Sequence, residues 1–235
     1  MAPKETMMLI IPTVKDEAAK YFIQSIYMII STPLDIPKIE PDDWNLFWDI
    51  WNKHSAPLKK QWVNNGSELD KKDAPVVWNG LDLYDKWPAG TSWRAPLFKA
   101  EKLFPKMFKI IFDLNLQKLY RIRIISSIEA INAHSDDSAD WWSIRAFLHN
   151  PSPTQQWYFT KPFDRFGTRT YLKMSEETNW FAYHDSAVWH GTEYDPKYPK
   201  LLLQLYSWPL RTSDDLIQRS ISKFSNYTIN SDELL

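Results

Sequence analysis

The order of apolar and turn residues predicts a mainly β chain with flanking helices, built around a jelly-roll or cupin barrel. Three observations carry this expectation. Eight short runs of strand character crowd between Tyr120 and Tyr206, with turn residues between them. Apolar residues recur at helical spacing before that stretch and again after Pro209. The run Lys200 to Tyr206 places Leu201, Leu203 and Leu205 on one wholly apolar face, which needs a cover.

Asp16 to Ser31 reads as a helix with a broad apolar stripe through Ala19, Phe22, Ile23, Ile26 and Met28 or Ile30, broken by Pro33-Leu-Asp-Ile-Pro37. Asp42 and Asp43 then open a helix over Trp44 to Lys53, their charge suiting its N-terminal dipole. Asn64 to Ser67 is a turn, and Val76 to Trp78 and Leu81 to Tyr84 are short strands around Asn79-Gly80. Lys99 to Leu114 is helical, with Pro105 at an early-turn or kink position. The eight strand runs are Tyr120–Ile125, Glu129–His134, Ser143–Leu148, Gln156–Thr160, Thr168–Met174, Trp180–His184, Ala187–His190 and Lys200–Tyr206. A last helix follows Pro209, capped by Ser213, with Leu216 or Ile217, Ile221 and Phe224 facing inward. The chain reads as one domain over 1–235: a helical and mixed region to 115, a β core over 116–208, and a helix and tail over 209–235. The N-terminal helices are expected on the outside of the barrel.

Composition narrows the chemistry. Apolar residues make up 44% of the 235 and charged residues 24%, enough for a sizeable core and an ordinary surface. A net charge of -1 supplies no global field for nucleic acid or an acidic membrane. There is no cysteine, which excludes disulfides, zinc–thiolate sites, iron–sulfur clusters and thiol nucleophiles. Metal ligands must come from carboxylates and from His54, His134, His149, His184 and His190. The most apolar run, Tyr21 to Ile30, is too short to span a membrane, the N-terminus lacks a signal order, and the expectation is a cytoplasmic protein. Thirteen tryptophans are many for this length; Trp44, Trp48 and Trp51 read as packing surface or as an aromatic substrate surface.

His134-Ser135-Asp136 is the centre of the functional reading. Two positions apart at an extended strand end, an imidazole and a carboxylate point the same way and can take adjacent sites on one metal. A histidine from a neighbouring strand completes a two-histidine, one-carboxylate face with open positions, the arrangement of non-haem Fe(II) oxygenases. His190, in Ala187-Val-Trp-His190-Gly191, is the preferred third ligand and His184 its competitor. Lys200 follows at the start of the last strand, where a cation can pair with the far carboxylate of a dicarboxylate cosubstrate.

With these residues in view, Leu119 to Tyr206 resembles the double-stranded β-helix of the Fe(II)/2-oxoglutarate oxygenases, and within them the aspartyl/asparaginyl β-hydroxylase-like branch. The shared marks are Arg121-Ile-Arg-Ile, His134, the Arg145 strand Ser143-Ile-Arg-Ala-Phe, Trp180-Phe181 and His190. Two features depart from that branch. Its namesake enzymes lack the carboxylate ligand, whereas Asp136 is present here; and the cation after the distal histidine is Lys200 rather than arginine, so it cannot form a bidentate fork. Arg145 can supply that fork or bind the near carboxylate. The resemblance implies Fe(II) as metal, 2-oxoglutarate as cosubstrate, dioxygen as oxidant and hydroxylation of an unactivated C–H as outcome. A small molecule, amino acid or peptide is the expected substrate class; neither nucleic acid nor a membrane is an expected partner. A non-oxidative cupin metalloenzyme and a binding module with a vestigial metal site are the alternatives. Trp141-Trp142 and Pro162 to Gly167 are candidates for shaping the entrance.

Overall fold

The computed structural model describes residues 28–57, 79–85, 99–116, 119–127, 130–135, 142–149, 157–164, 166–193, 200–207 and 214–234. The expected helix before residue 28, the strand at 76–78, the cap Ser213, Asp136 and Trp141 lie outside these residues.

Strands dominate, in two antiparallel sheets. They are β1 (Ile29–Pro33), β2 (Ala56–Pro57), β3 (Asn79–Asp85), β4 (Leu119–Ser127), β5 (Ile131–His134), β6 (Trp142–Phe147), β7 (Trp157–Thr160), β8 (Thr170–Tyr171), β9 (Trp180–His184), β10 (Trp189–Thr192), β11 (Lys200–Ser207) and β12 (Ile229–Asn230). One sheet runs β12-β1-β9-β6-β11-β4-β3-β2 and the other β5-β10-β7-β8. This is the jelly-roll arrangement that the strand spacing predicts. Among the described residues four α-helices accompany the sheets: α1 (Trp44–His54), α2 (Ala100–Leu103), α3 (Pro105–Asp113) and α4 (Asp214–Lys223).

Expected and observed elements differ in several places. Ile29 to Ser31 ends no helix but forms β1, with Ser31 opposite Tyr183 of β9 and Ile229 of β12. The β-branched residues Ile29, Ile30 and Thr32 suit a strand, and pairing on both edges outweighs the helical period. The expected helix over Lys99 to Leu114 is two helices, with Pro105 in the first turn of α3, where its missing N–H costs nothing. The strand around Asn79-Gly80 is continuous through them.

The larger sheet separates two cores by period-2 alternation. Leu203 stands opposite Ile124 of β4 and Ala146 of β6, and Leu205 opposite Ile122 and Ile144. This face packs with Leu201, with Phe47, Ile50 and Trp51 of α1, with Met107, Phe108 and Ile111 of α3, and with Leu216 and Ile217 of α4. The apolar stripe of β11 thus has its helical cover. Asp43 caps α1 by accepting from the Asn45 and Leu46 N–H groups, and Asp42 caps α3 from a distance by accepting from Lys106 and Met107. Of the tryptophan run, Trp51 is buried and Trp48 exposed.

The opposite face joins the smaller sheet in a second core inside the barrel. Ile125, Phe147, Phe181, Tyr183 and Leu202 come from the larger sheet and meet Trp157 and Phe159 from the smaller. Among the described residues no helix is long and apolar enough to cross a membrane.

Candidate metal centre

The smaller sheet brings His134 and His190 together. They are direct partners across the antiparallel pair β5–β10, so both side chains leave the same face. Their ring centroids lie 4.5 Å apart. His134 is half-buried at the end of β5 and His190 is 2% exposed. His134 Nδ1 lies 2.9 Å from the Asn132 carbonyl oxygen. That oxygen can only accept, so Nδ1 carries the proton and Nε2 the lone pair.

His190 is held on three sides. Trp157 of the neighbouring strand β7 stacks on it at 5.1 Å with only 6° between the planes. Tyr183 of β9 faces it across the barrel, its hydroxyl 3.4 Å from Nε2. Asp185, which opens the 3-10 turn Asp185–Ala187 between β9 and β10, has its carboxylate 3.4 Å from Nδ1, both side chains being buried.

His184 stands elsewhere. It ends β9 in the larger sheet, opposite Trp142, whose ring lies 5.7 Å from its own. Among the described residues, no set of three His, Asp or Glu side chains is arranged to hold a metal. Asp136, the carboxylate of the sequence motif, lies outside them.

The expected cations are inside the barrel. Arg145 of β6 is 2% exposed and shares its face with Phe147. Its guanidinium donates to the Ile144 carbonyl and lies 5.7 Å from the Tyr183 ring centre and 5.5 Å from that of Tyr206. Lys200, the first residue of β11, is buried on the face of Leu202 and Gln204. Arg123 is differently engaged: its Nε and Nη2 donate to the two oxygens of Asp82 at 2.6 and 3.0 Å, in a fully buried pair. The inner row reads Asp82, Arg123, Gln204, Arg145, Phe181 from β3 across to β9.

Sequence reasoning missed Trp157, Tyr183 and Asp185 as neighbours of His190. Asp185 was the most accessible of these, since it precedes His190 on the same connection; the 3-10 turn that aims it back carries no local signal. Trp157 Nε1 and Thr192 Oγ1 are buried and have no hydrogen-bond partner among the described residues. Thr192 stands opposite Trp157 across β7–β10.

The outside of the smaller sheet braces this geometry. The Tyr158 hydroxyl donates to the Ile131 carbonyl of β5 at 3.0 Å, across β10. Its ring lies over Gly191, where an added Cβ would meet Tyr158 and the Ile131 oxygen at 2.4 Å. Arg169 covers the Tyr158 ring at 4.4 Å and pairs with Glu193, which also accepts from Tyr171. Burial pushes the Tyr158 phenol above its ordinary pKa, and the bond to Glu193 does the same for Tyr171.

No family model matches the chain, and no curated protein matches it. Some solved structures are similar to it. An oxidoreductase of the 2OG-Fe(II) oxygenase family from Burkholderia pseudomallei is 10% identical, with 75% of this chain and 96% of that one covered and a TM-score of 0.39. A Pseudomonas putida prolyl-4-hydroxylase is 10% identical over 69% of this chain and 81% of its own, with a TM-score of 0.38. A full-length Neurospora crassa protein in complex with alpha-KG is 10% identical over 94% of this chain and 91% of its own, with a TM-score of 0.45.

Proposed function

We propose that the chain is a non-haem Fe(II)- and 2-oxoglutarate-dependent oxygenase that hydroxylates an unactivated C–H of an amino acid, a protein side chain or a small metabolite. The observation that carries this reading is the placement of His134 and His190 as direct cross-strand partners. The donor set fits the metal. The Asn132 carbonyl at Nδ1 places the His134 lone pair on Nε2, the tautomer that a metal-binding imidazole of this orientation requires. Asp136, two residues after His134, is the assigned carboxylate, and two histidines with one carboxylate suit Fe(II).

The remaining residues serve the cosubstrate. Lys200 is the assigned partner of its far carboxylate, and Arg145 is a second buried cation, opposite Gln204 and two inner-facing rows further along the same sheet. A buried cation stabilises a carboxylate strongly, because little water competes for it. Trp157 Nε1 and Thr192 Oγ1 offer two further polar atoms beside His190. Phe159, Phe181 and Leu202 exclude water from this chamber. With iron and 2-oxoglutarate bound, dioxygen would be the oxidant, taking two electrons from 2-oxoglutarate and two from the substrate; the chain would hold, orient and shield the group.

The test is anaerobic titration of the purified chain with Fe(II) and 2-oxoglutarate, followed by a screen of amino acids, peptides and metabolites for succinate release. Metal binding without 2-oxoglutarate binding would favour a non-oxidative metalloenzyme. Absence of metal binding would leave only a binding module.

A further inference from the structure

We infer that Asp185 is the positioning carboxylate of the metal centre: it selects which nitrogen of His190 is presented to the metal. The inference rests on the iron reading above and adds a residue to it. The plane of the His190 ring is set by Trp157, stacked on it at 6°. Stacking is indifferent to a half-turn of the ring in that plane, which exchanges nitrogen and carbon positions without changing the contact. Only a polar neighbour can choose between the two. Asp185 Oδ1 is 3.4 Å from Nδ1, and the Tyr183 hydroxyl is 3.4 Å from Nε2. Asp185 and Nδ1 are at ion-pair distance rather than in an aligned hydrogen bond; the carboxylate's negative potential favours the N–H on Nδ1, and the phenol can then donate to Nε2, where the lone pair lies.

The contact is longer than the usual N–H···O bond of about 2.9 Å and acts chiefly through charge. The Asp185 side chain is wholly buried, where a carboxylate is costly unless donors or cations face it. The Asp185–Ala187 turn links the two sheets, so backbone geometry aims this carboxylate at β10. The other ring has the same design: the Asn132 carbonyl faces Nδ1 of His134. Each histidine of the pair therefore has an oxygen facing Nδ1 and its lone pair on Nε2, and at His190 the Tyr183 hydroxyl must yield that position to a metal. A carboxylate behind a ligating imidazole also raises its basicity, and loss of such a partner weakens metal binding about ten- to a hundredfold.

The experiment compares wild type, Asp185→Asn and Asp185→Leu by anaerobic calorimetric titration with Mn(II) and Co(II), each checked by thermal melting without metal. The expected result is affinity at least about tenfold weaker in both variants, with an altered Co(II) absorption spectrum and the fold retained. In parallel, imidazole 15N shifts of the metal-free wild-type chain should show His190 protonated on Nδ1, a readout that needs no variant to fold. Wild-type affinity in a folded Asp185→Asn, or His190 protonated on Nε2, overturns the proposal and leaves the iron reading standing. A wild-type chain that binds neither metal overturns both.

Discussion

His134 and His190 stand opposite each other across β5 and β10, 4.5 Å between ring centres, although 56 positions separate them in the chain (190 less 134). If this pair holds the metal, His134→Ala, His190→Ala and Asp136→Ala should each abolish tight binding of Mn(II) or Fe(II). His184→Ala should leave it intact, because His184 belongs to the other sheet, against Trp142. Anaerobic calorimetry checks all four. Loss of metal in His184→Ala with retention in His190→Ala would reverse the assignment.

The buried cations separate by role. Arg145→Ala and Lys200→Ala should weaken 2-oxoglutarate binding about ten- to a hundredfold while sparing the metal, since a charge-assisted hydrogen bond contributes roughly 1.5–3 kcal/mol. Trp157→Phe keeps the stack on His190 and removes one N–H, so its effect should be smaller, about two- to tenfold. Unchanged cosubstrate affinity in both cation variants would refute the assignment.

Arg123→Ala should behave otherwise. It strips the partner from Asp82, which is wholly buried. Breaking a buried pair from one side costs about 3–5 kcal/mol. Urea denaturation of Arg123→Ala should show that loss, and Arg123→Ala with Asp82→Ala together should recover part of it. A loss in the double variant equal to the sum of the singles would show the pair to be uncoupled.

Gly191→Ala tests the brace behind the histidines. The new methyl would collide with the Tyr158 ring and the Ile131 carbonyl at 2.4 Å. Overpacking of this kind costs about 1–3 kcal/mol. Because the colliding groups tie β5 to β7 across β10, metal affinity should fall with stability. Gly191→Ala with unchanged melting temperature and metal affinity would show that β5 is positioned by something else.

The C-terminal turn should loosen in acid. Burial disfavours the charged form of Glu233, but its contacts with Lys173 and the Asn230 N–H outweigh this and hold its pKa below the ordinary carboxylate value of 4.5. A depressed folded pKa means that the stabilisation is complete above the unfolded value and is lost as pH falls through the folded one. Amide exchange over Ile229 to Leu234, corrected for intrinsic rates, should therefore be faster at pH 3 than at pH 6. Lys173→Ala should remove most of that difference.

What the sequence determined by itself was everything with a local period or a local chemistry. Alternation in Lys200 to Tyr206 marked Leu201, Leu203 and Leu205 for a helical cover, and they have one. Short strands between turn residues announced the barrel, and the absence of cysteine left histidine and carboxylate as ligands. Asp42 and Asp43 announced a helix start, although only the fold shows that Asp42 caps α3 rather than α1.

The tertiary structure decided what depends on partners distant in the chain. Ile29 to Pro33 continues a run of helical period in sequence but has a strand on either side in space, and the backbone hydrogen bonds of β9 and β12 decide its form. The choice between His190 and His184 as neighbour of His134 was likewise a matter of which sheet each strand enters. Arg123 and Arg145 look alike in sequence; the inner row across β3, β4, β11 and β6 gives one a buried carboxylate and the other the aromatic faces of Tyr183 and Tyr206. Asp185 reaches His190 through a 3-10 turn, whose direction is set by the two sheets it joins. Local sequence encodes which face a side chain takes; only the register of distant strands encodes what that face meets.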